Sequence, residues 1–299
     1  MRQRLDDLLS RTIGLRYTLP LSDGSIPKIT ISTQDDECYS ALSSDVELAR
    51  VIYNGIIDYS FEESKIDLTK LDIFQKIALK TKLKFTTTDS MDRQLKYGFY
   101  GEVLLFLFLQ KFHNLGTFIS RGHFYSPLEN SETKGYDTYQ MMLNPNGETE
   151  LWFGEVKFHQ DFRTGITQIL EKISLSLSDE YYGNNILAME DYESFINPNV
   201  TITPLLEAFR NDPEVNIATL AHELGFSFVY PMLVIFNDTN KSYDEIIQDV
   251  VRYTNERYAD LNINFSLRYS LFFIFLPVKV VRDIKMQVRS WILSGEPLI

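Results

Sequence analysis

Leu151-Trp152-Phe153-Gly154-Glu155-Val156-Lys157-Phe158 decides the reading of this 299-residue chain. Its apolar residues describe a strand, and the strand period of two places Glu155 and Lys157 on the same face. Two charges on one face of an otherwise apolar strand require partners, because burying a charge unpaired is expensive. A structural salt bridge is one answer and a functional site is another. The bare pattern of an acid, a spacer and a lysine does not choose between them. It occurs four times, at Glu63-Ser64-Lys65, Glu132-Thr133-Lys134, Glu155-Val156-Lys157 and Asp283-Ile284-Lys285. The first two lie in polar, loop-like sequence. The last lies in a helical pattern, where residues two apart point to different faces.

Neighbouring segments add chemistry. Asn144-Pro145-Asn146-Gly147 has hairpin-loop composition and joins the strand Glu150–Phe158 to a preceding strand, Tyr136–Leu143. Asp137 on that strand lies 18 positions before Glu155. Two carboxylates on adjacent strands with a lysine beside them suit a divalent cation held by oxygen ligands and a water oriented next to it. Upstream, an apolar helix is expected over Met91–Phe112, with Leu104, Leu105, Phe108, Leu109 and Phe112 at helical spacing. Glu102 shares a face with Leu105, Phe106 and Leu109 and is expected to point inward, which is costly unless it is protonated or bound to something positive. A helix over about Thr164–Leu177 follows the strand and carries Gln168. Arg163 and Lys172 on that segment are candidates for phosphate contact, and equally for plain surface charge.

The rest of the chain reads as helix Arg2–Ile13, strand Ile26–Ile31, a helix capped at Ser44-Asp45 and running to Ile57, and helix Leu71–Leu79. A break at Thr86-Thr87-Thr88-Asp89-Ser90 precedes the helix at Met91. Strand Gly116–Tyr125 is expected after that helix. Strand Phe226–Phe236, helix Tyr243–Tyr258, strand Leu267–Leu276 and a closing helix complete the pattern. The ordering predicts an α/β (α+β) fold with a mixed central sheet flanked by helices. It divides into an N-terminal accessory segment, 1–89, and a core, 90–299, with C-terminal strand and helix additions.

The order helix glutamate, strand aspartate, strand Glu-x-Lys and following helix, on Glu102, Asp137, Glu155, Lys157 and Gln168, resembles the PD-(D/E)xK nuclease superfamily. Position 136 is Tyr where that motif's name has Pro. More narrowly, Gly101-Glu102 opening an apolar helix, Lys134-Gly135-Tyr136-Asp137 and Phe153-Gly154-Glu155-Val156-Lys157-Phe158 are similar to HamA, the nuclease-subunit family of Hachiman anti-phage defence, and to AbpA-type resistance proteins. These motifs span about residues 97–172. The resemblance implies a restriction-endonuclease-like fold and a DNA-hydrolysing endonuclease with Glu102, Asp137, Glu155 and Lys157 as catalytic residues. It further implies Mg²⁺ on Asp137, Glu155 and Glu102, with Mn²⁺ as a substitute, and a HamB-like helicase partner. A non-catalytic adaptor that keeps the nuclease fold only to dock on a helicase is the alternative.

Composition sets limits. Lys plus Arg total 29 against 41 Asp plus Glu, a net charge of -12, which argues against a stand-alone DNA coater. Residues 1–89 carry 12 basic and 14 acidic side chains, and residues 90–299 carry 17 and 27. The acidic part thus contains the candidate site, so a partner is expected to deliver nucleic acid; residues 1–89 are either its docking surface or part of one domain packed on the sheet. The single cysteine, Cys38, excludes a disulfide framework and a multi-thiolate zinc site. No apolar run approaches the roughly 18–20 residues of a membrane span, and no signal segment opens the chain, so a soluble cytoplasmic protein with no membrane association is expected. There is no Walker A sequence. Ala221-His222-Glu223-Leu224-Gly225-Phe226 starts like a zincin helix but has Phe226 where the second histidine belongs. His113 and His123 lack metal-ligand spacing, and His159 is expected near the site or at the surface.

Overall fold

Strands that are apolar on both faces must be covered on both faces, and the helices of this chain do the covering. The computed structural model describes residues 1–19, 36–115, 125–126, 131–132, 137–144, 146–178, 203–212, 215–261, 263 and 265–299. Helix α1 (Gln3–Thr12) runs directly into β1 (Ile13–Leu19), and β2 (Asp36–Ala41) leads to α2 (Asp45–Ser60). Helix α3 (Leu71–Ile77) continues into a π-helical turn, and short α4 (Met91–Gln94) precedes α5 (Phe99–Phe112). A small ladder pairs β3 (Tyr125–Ser126) with β4 (Ser131–Glu132). Then come β5 (Thr138–Leu143), β6 (Thr149–Phe158), α6 (Phe162–Ser176), α7 (Thr203–Asn211) and α8 (Ile217–Glu223). The chain closes with β7 (Phe226–Asn237), α9 (Tyr243–Tyr258), β8 (Tyr269–Val278) and α10 (Val281–Ser294).

Six of these strands form one mixed sheet in the order β1-β2-β8-β7-β6-β5. The four central strands are parallel neighbours, and β1 and β5 close the edges antiparallel. β8 is buried along its entire length, as its run Phe272-Phe273-Ile274-Phe275-Leu276 demands. One face is covered by α1, α2, α5 and α10, the other by α6 and α9. The mixed sheet with helices on both sides is the architecture expected from the sequence. Residues on both sides of Ser90 share it: β2 pairs with β8, and α2 packs on α5 and α10.

Some expectations change. The single helix expected over Met91–Phe112 is two, broken between Gln94 and Phe99. The Tyr100 hydroxyl donates to the Gln94 carbonyl, and the Gln94 side chain, fully buried, donates to Thr86 O. These bonds hold the polar Gln94 buried at the break between the two helices. Strands β1 and β2 are not among the elements the sequence predicts, and the expected strand Ile26–Ile31 lies outside the described residues, as does 116–124 of Gly116–Tyr125. Asp137 is the residue before β5 rather than within the strand.

Glycine fixes how closely α5 meets the sheet. A Cβ at Gly101 would lie 2.8 Å from Val156 Cγ2 and 3.5 Å from Phe158 Cβ. Gly101→Val therefore pushes the first turn of α5 off β6. The expected cost is about 2 kcal/mol, in the range of overpacked cores, measured as a lower urea midpoint at an unchanged m-value.

Candidate functional site

The site begins where β5 leaves the sheet. Pairing of β5 with β6 ends at Thr138 opposite Gly154, which would orphan the next backbone N–H of β6 at a buried edge. Asp137 satisfies it. Its own N–H donates to Gly154 O at 2.9 Å, and its Oδ2 accepts from Val156 N–H at 2.9 Å. The aspartate is half-buried and its carboxylate is locked beside Glu155.

Glu155 is 1% exposed. Lys157, two residues on along the same face, donates to Oε1 at 2.6 Å, and Lys172 from α6 donates to Oε2. Each carboxylate oxygen thus has its own ammonium, from different elements. Burial raises the Glu155 carboxyl above the ordinary carboxylate range, and the Asp137 charge raises it further, against the pull of Lys172 and Lys157. Both lysines keep about a quarter to a third of their side chains in solvent, so the cluster opens outward on the lysine side.

Helix α6 reaches the site because its start is fixed. Asp161 caps it, accepting from Thr164 N–H at 3.0 Å, and Gly165 lets it lie against β6, with Lys157 Cβ 3.4 Å from where a Cβ would stand. Gly165, Gln168 and Lys172 follow at helical spacing along one side. Gln168 is exposed. Arg163 turns elsewhere: its guanidinium stacks 4.5 Å from the Phe162 ring centroid and 5.7 Å from that of Tyr253.

Glu102 is buried and accepts from the Tyr59 hydroxyl at 3.0 Å. It follows Gly101, which touches Val156 and Phe158, so α5 approaches β6 from the face opposite Glu155 and Lys157. Asp137, Glu155, Lys157 and Lys172 come together; Glu102 is engaged behind them. Among the described residues, no three Asp, Glu, His or Cys side chains gather as a metal-binding group. The donor chemistry of the Asp137–Glu155 pair nevertheless suits a hard divalent cation: two carboxylates close enough that one raises the other.

The sequence did not reveal the Lys172–Glu155 pairing. Its signal is there in retrospect, since a short connection after β6 and the Gly165–Gln168–Lys172 spacing direct that helix face to the strand. Tyr59 gave no signal, being 43 residues from Glu102. Other candidates are accounted for. Glu63 and Lys65 sit in a 3-10 turn. His222 and Glu223 end α8, and Gly225 at φ 77° stops any zincin-type continuation. His113 Nε2 lies 3.2 Å from Glu37 Oε2, packed between Trp152 and Phe272. His159 Nδ1 accepts from Asp161 N–H. Cys38 is buried and its thiol is pushed up to about 12, chiefly by desolvation, which leaves it unreactive. His123 and Lys134-Gly135-Tyr136 lie outside the described residues. No helix of the described residues is long and apolar enough to cross a membrane.

The HamA family model matches residues 28–292, nearly the whole chain. No curated protein matches it.

Because Glu155 titrates above its usual range, its ionised form is disfavoured in the folded state, so stability is lost as pH rises through the folded value. Glu155→Gln keeps the shape and cannot ionise. In chelator, the melting temperature of Glu155→Gln relative to wild type is expected to rise as the pH is taken up from the ordinary carboxylate range. Parallel pH profiles for the two proteins would contradict this assignment.

Proposed function

This chain belongs to the HamA family, and we propose that it is the metal-dependent nuclease of a Hachiman anti-phage defence system, hydrolysing DNA phosphodiester bonds under the control of a HamB-like helicase partner. The observation that carries the reading is the buried Glu155 carboxylate beside Asp137, with Lys157 and Lys172 on its two oxygens. A protein that needed only a fold would gain little from this cluster, since buried ion pairs are weak contributors to stability.

Asp137 and Glu155 would hold Mg²⁺, or Mn²⁺ in its place. A bound divalent cation supplies Lewis acidity to the phosphoryl group and lowers the pKa of its water. The chain's own residues do the rest. Asp137 holds its carboxylate still by accepting from Val156 N–H, so the strand edge itself sets the position of one ligand. Lys157, on the same strand face as Glu155, orients the attacking water or stabilises charge on the phosphate. Lys172 offers a second ammonium from the solvent side. Glu102 acts from behind, as a positioning residue bonded to Tyr59. The formal charge of Asp137, Glu155 and the two lysines is zero, so a dication brings the site to +2. That balances a phosphodiester and a hydroxide.

The net charge of -12 supports delivery of DNA by the partner, since a chain of that charge holds a polyanion poorly on its own. The adaptor reading draws on one observation: the Glu155 ion cluster is complete from protein atoms alone.

Plasmid cleavage assayed with and without divalent metal, and with and without the helicase, tests the proposal. Asp137→Ala, Glu155→Ala and Lys157→Ala are expected to abolish cleavage in folded protein, and Lys172→Met to slow it roughly 100-fold, as for loss of one preorganised charge. Metal-dependent cleavage by none of these proteins, wild type included, even with the helicase present, would establish the adaptor.

A further inference from the structure

The fourth acid-x-Lys match supplies a lysine the site does not use. Lys285 on α10 is half-buried, and its ammonium donates to the carbonyl of Phe158, one residue beyond Lys157, at 3.0 Å. It lies 4.9 Å from the Phe158 ring centroid and 5.8 Å from that of Tyr100. Among the described residues no carboxylate is in ion-pair range of it, and burial pushes it down to about 8. A desolvated cation facing one carbonyl and two ring faces has donors to spare. Asp283, two residues away on the same helix, is exposed and points to another side.

Lys285 is not alone. Arg282, Lys285 and Arg289 follow at i, i+3 and i+7 and so share one side of α10. That side faces α4: Arg282 lies 3.8 Å from Asp92, and Arg289 Nε donates to Gln94 Oε1. Arg93 and Lys96 stand exposed on the α4 side, Arg93 being 3.3 Å from Asp89. Residues 279–289 hold four basic side chains and one acidic, in a chain where acids outnumber bases 41 to 29. The row spans about 10 Å at 1.5 Å per residue, roughly three nucleotides of a duplex strand.

We propose that the seam between α10 and α4, with Arg282, Lys285 and Arg289 at its centre, binds the phosphate backbone of nucleic acid and leads it to the end of β6. The inference rests on the nuclease reading for its destination, but not for its chemistry. The ligand is recognised by charge and spacing, without base contacts. Lys285 links the seam to the site, because its ammonium holds the strand end that carries Lys157.

The test is fluorescence anisotropy of a labelled DNA duplex with full-length Glu155→Gln protein, titrated over a range of salt. Arg282→Gln and Lys285→Gln are each expected to reduce the slope of log K against log salt by about 1, and together to weaken low-salt binding roughly tenfold or more. Lys285→Arg is expected to retain the slope. Lys65→Gln, in the 3-10 turn before α3 and paired with Glu62, is expected to change nothing. Thermal melts show that each variant is folded, and the exposed Arg282 keeps the test decisive if Lys285→Gln is unstable. Unchanged slopes in both variants, or no salt-dependent DNA binding by the parent protein, overturn the inference. DNA binding that depends on the seam in a chain that never cleaves would instead remove the nuclease reading and leave the seam standing.

Discussion

Everything around the candidate site answers one demand, that a buried carboxylate at position 155 be surrounded by compensating charge. Taking a carboxylate out of water costs several kcal/mol even after relaxation. One ammonium at about 4 Å returns about 4 kcal/mol where the effective dielectric is near 20. A single lysine therefore barely offsets the cost, and Asp137 adds repulsion. The second ammonium has to come from elsewhere in the fold, and α6 brings it. The strand, its edge and the helix after it are bound together by that charge balance.

The backbone explains why these groups can meet. An edge strand normally exposes a row of hydrogen-bonding groups, and here β5 departs while β6 continues for four residues past Gly154. Asp137 closes the gap with a side chain instead of a strand, which turns an edge defect into a fixed carboxylate. On the other side, β6 continues to pair with β7 through Phe158, so Glu155 and Lys157 are held in register by a fully buried neighbour. Gly101 and Gly165 then admit a helix from each face. The site's rigidity comes from the sheet and its variety of charges from the helices, an arrangement suited to preorganised chemistry.

Much of this was legible in the sequence because strand periodicity is local. Glu155 and Lys157 share a face in any strand, and the turn at Asn144–Gly147 places Asp137 next to them. The central strands β7 and β8 announce themselves as apolar runs. What is not legible there is set by contacts distant in sequence. Strand β1 follows α1 without a turn residue to mark the change, although Ile13, Leu15, Tyr17 and Leu19 alternate. Strand β2 opens with Asp36, and its buried place depends on Phe273 N–H donating to that carboxylate, 237 residues away. At the break before α5, the buried Gln94 side chain accepts from Arg289 Nε, 195 residues away. Glu102 faces inward as helical spacing, a local signal, predicts, but its partner Tyr59 lies on another helix.

Net charge is a poor guide to a surface assembled from separate segments. The chain reads as acidic throughout its second half, and no stretch of it looks like a nucleic-acid-binding motif. Folding nevertheless brings Asp92 and Gln94 of α4, in a segment that also carries Arg93 and Lys96, against Arg282 and Arg289 of α10, about 190 residues away in the chain. A seam of three central cations corresponds to a salt slope near 3, against the 6–10 phosphate contacts of proteins that hold DNA on their own. Such a seam orients a strand rather than capturing one, and the remaining acidic surface repels DNA that approaches elsewhere. Weak, directed contact with a polyanion is what a nuclease needs if capture belongs to a partner: the strand is aligned once delivered, and intact DNA met by chance is released.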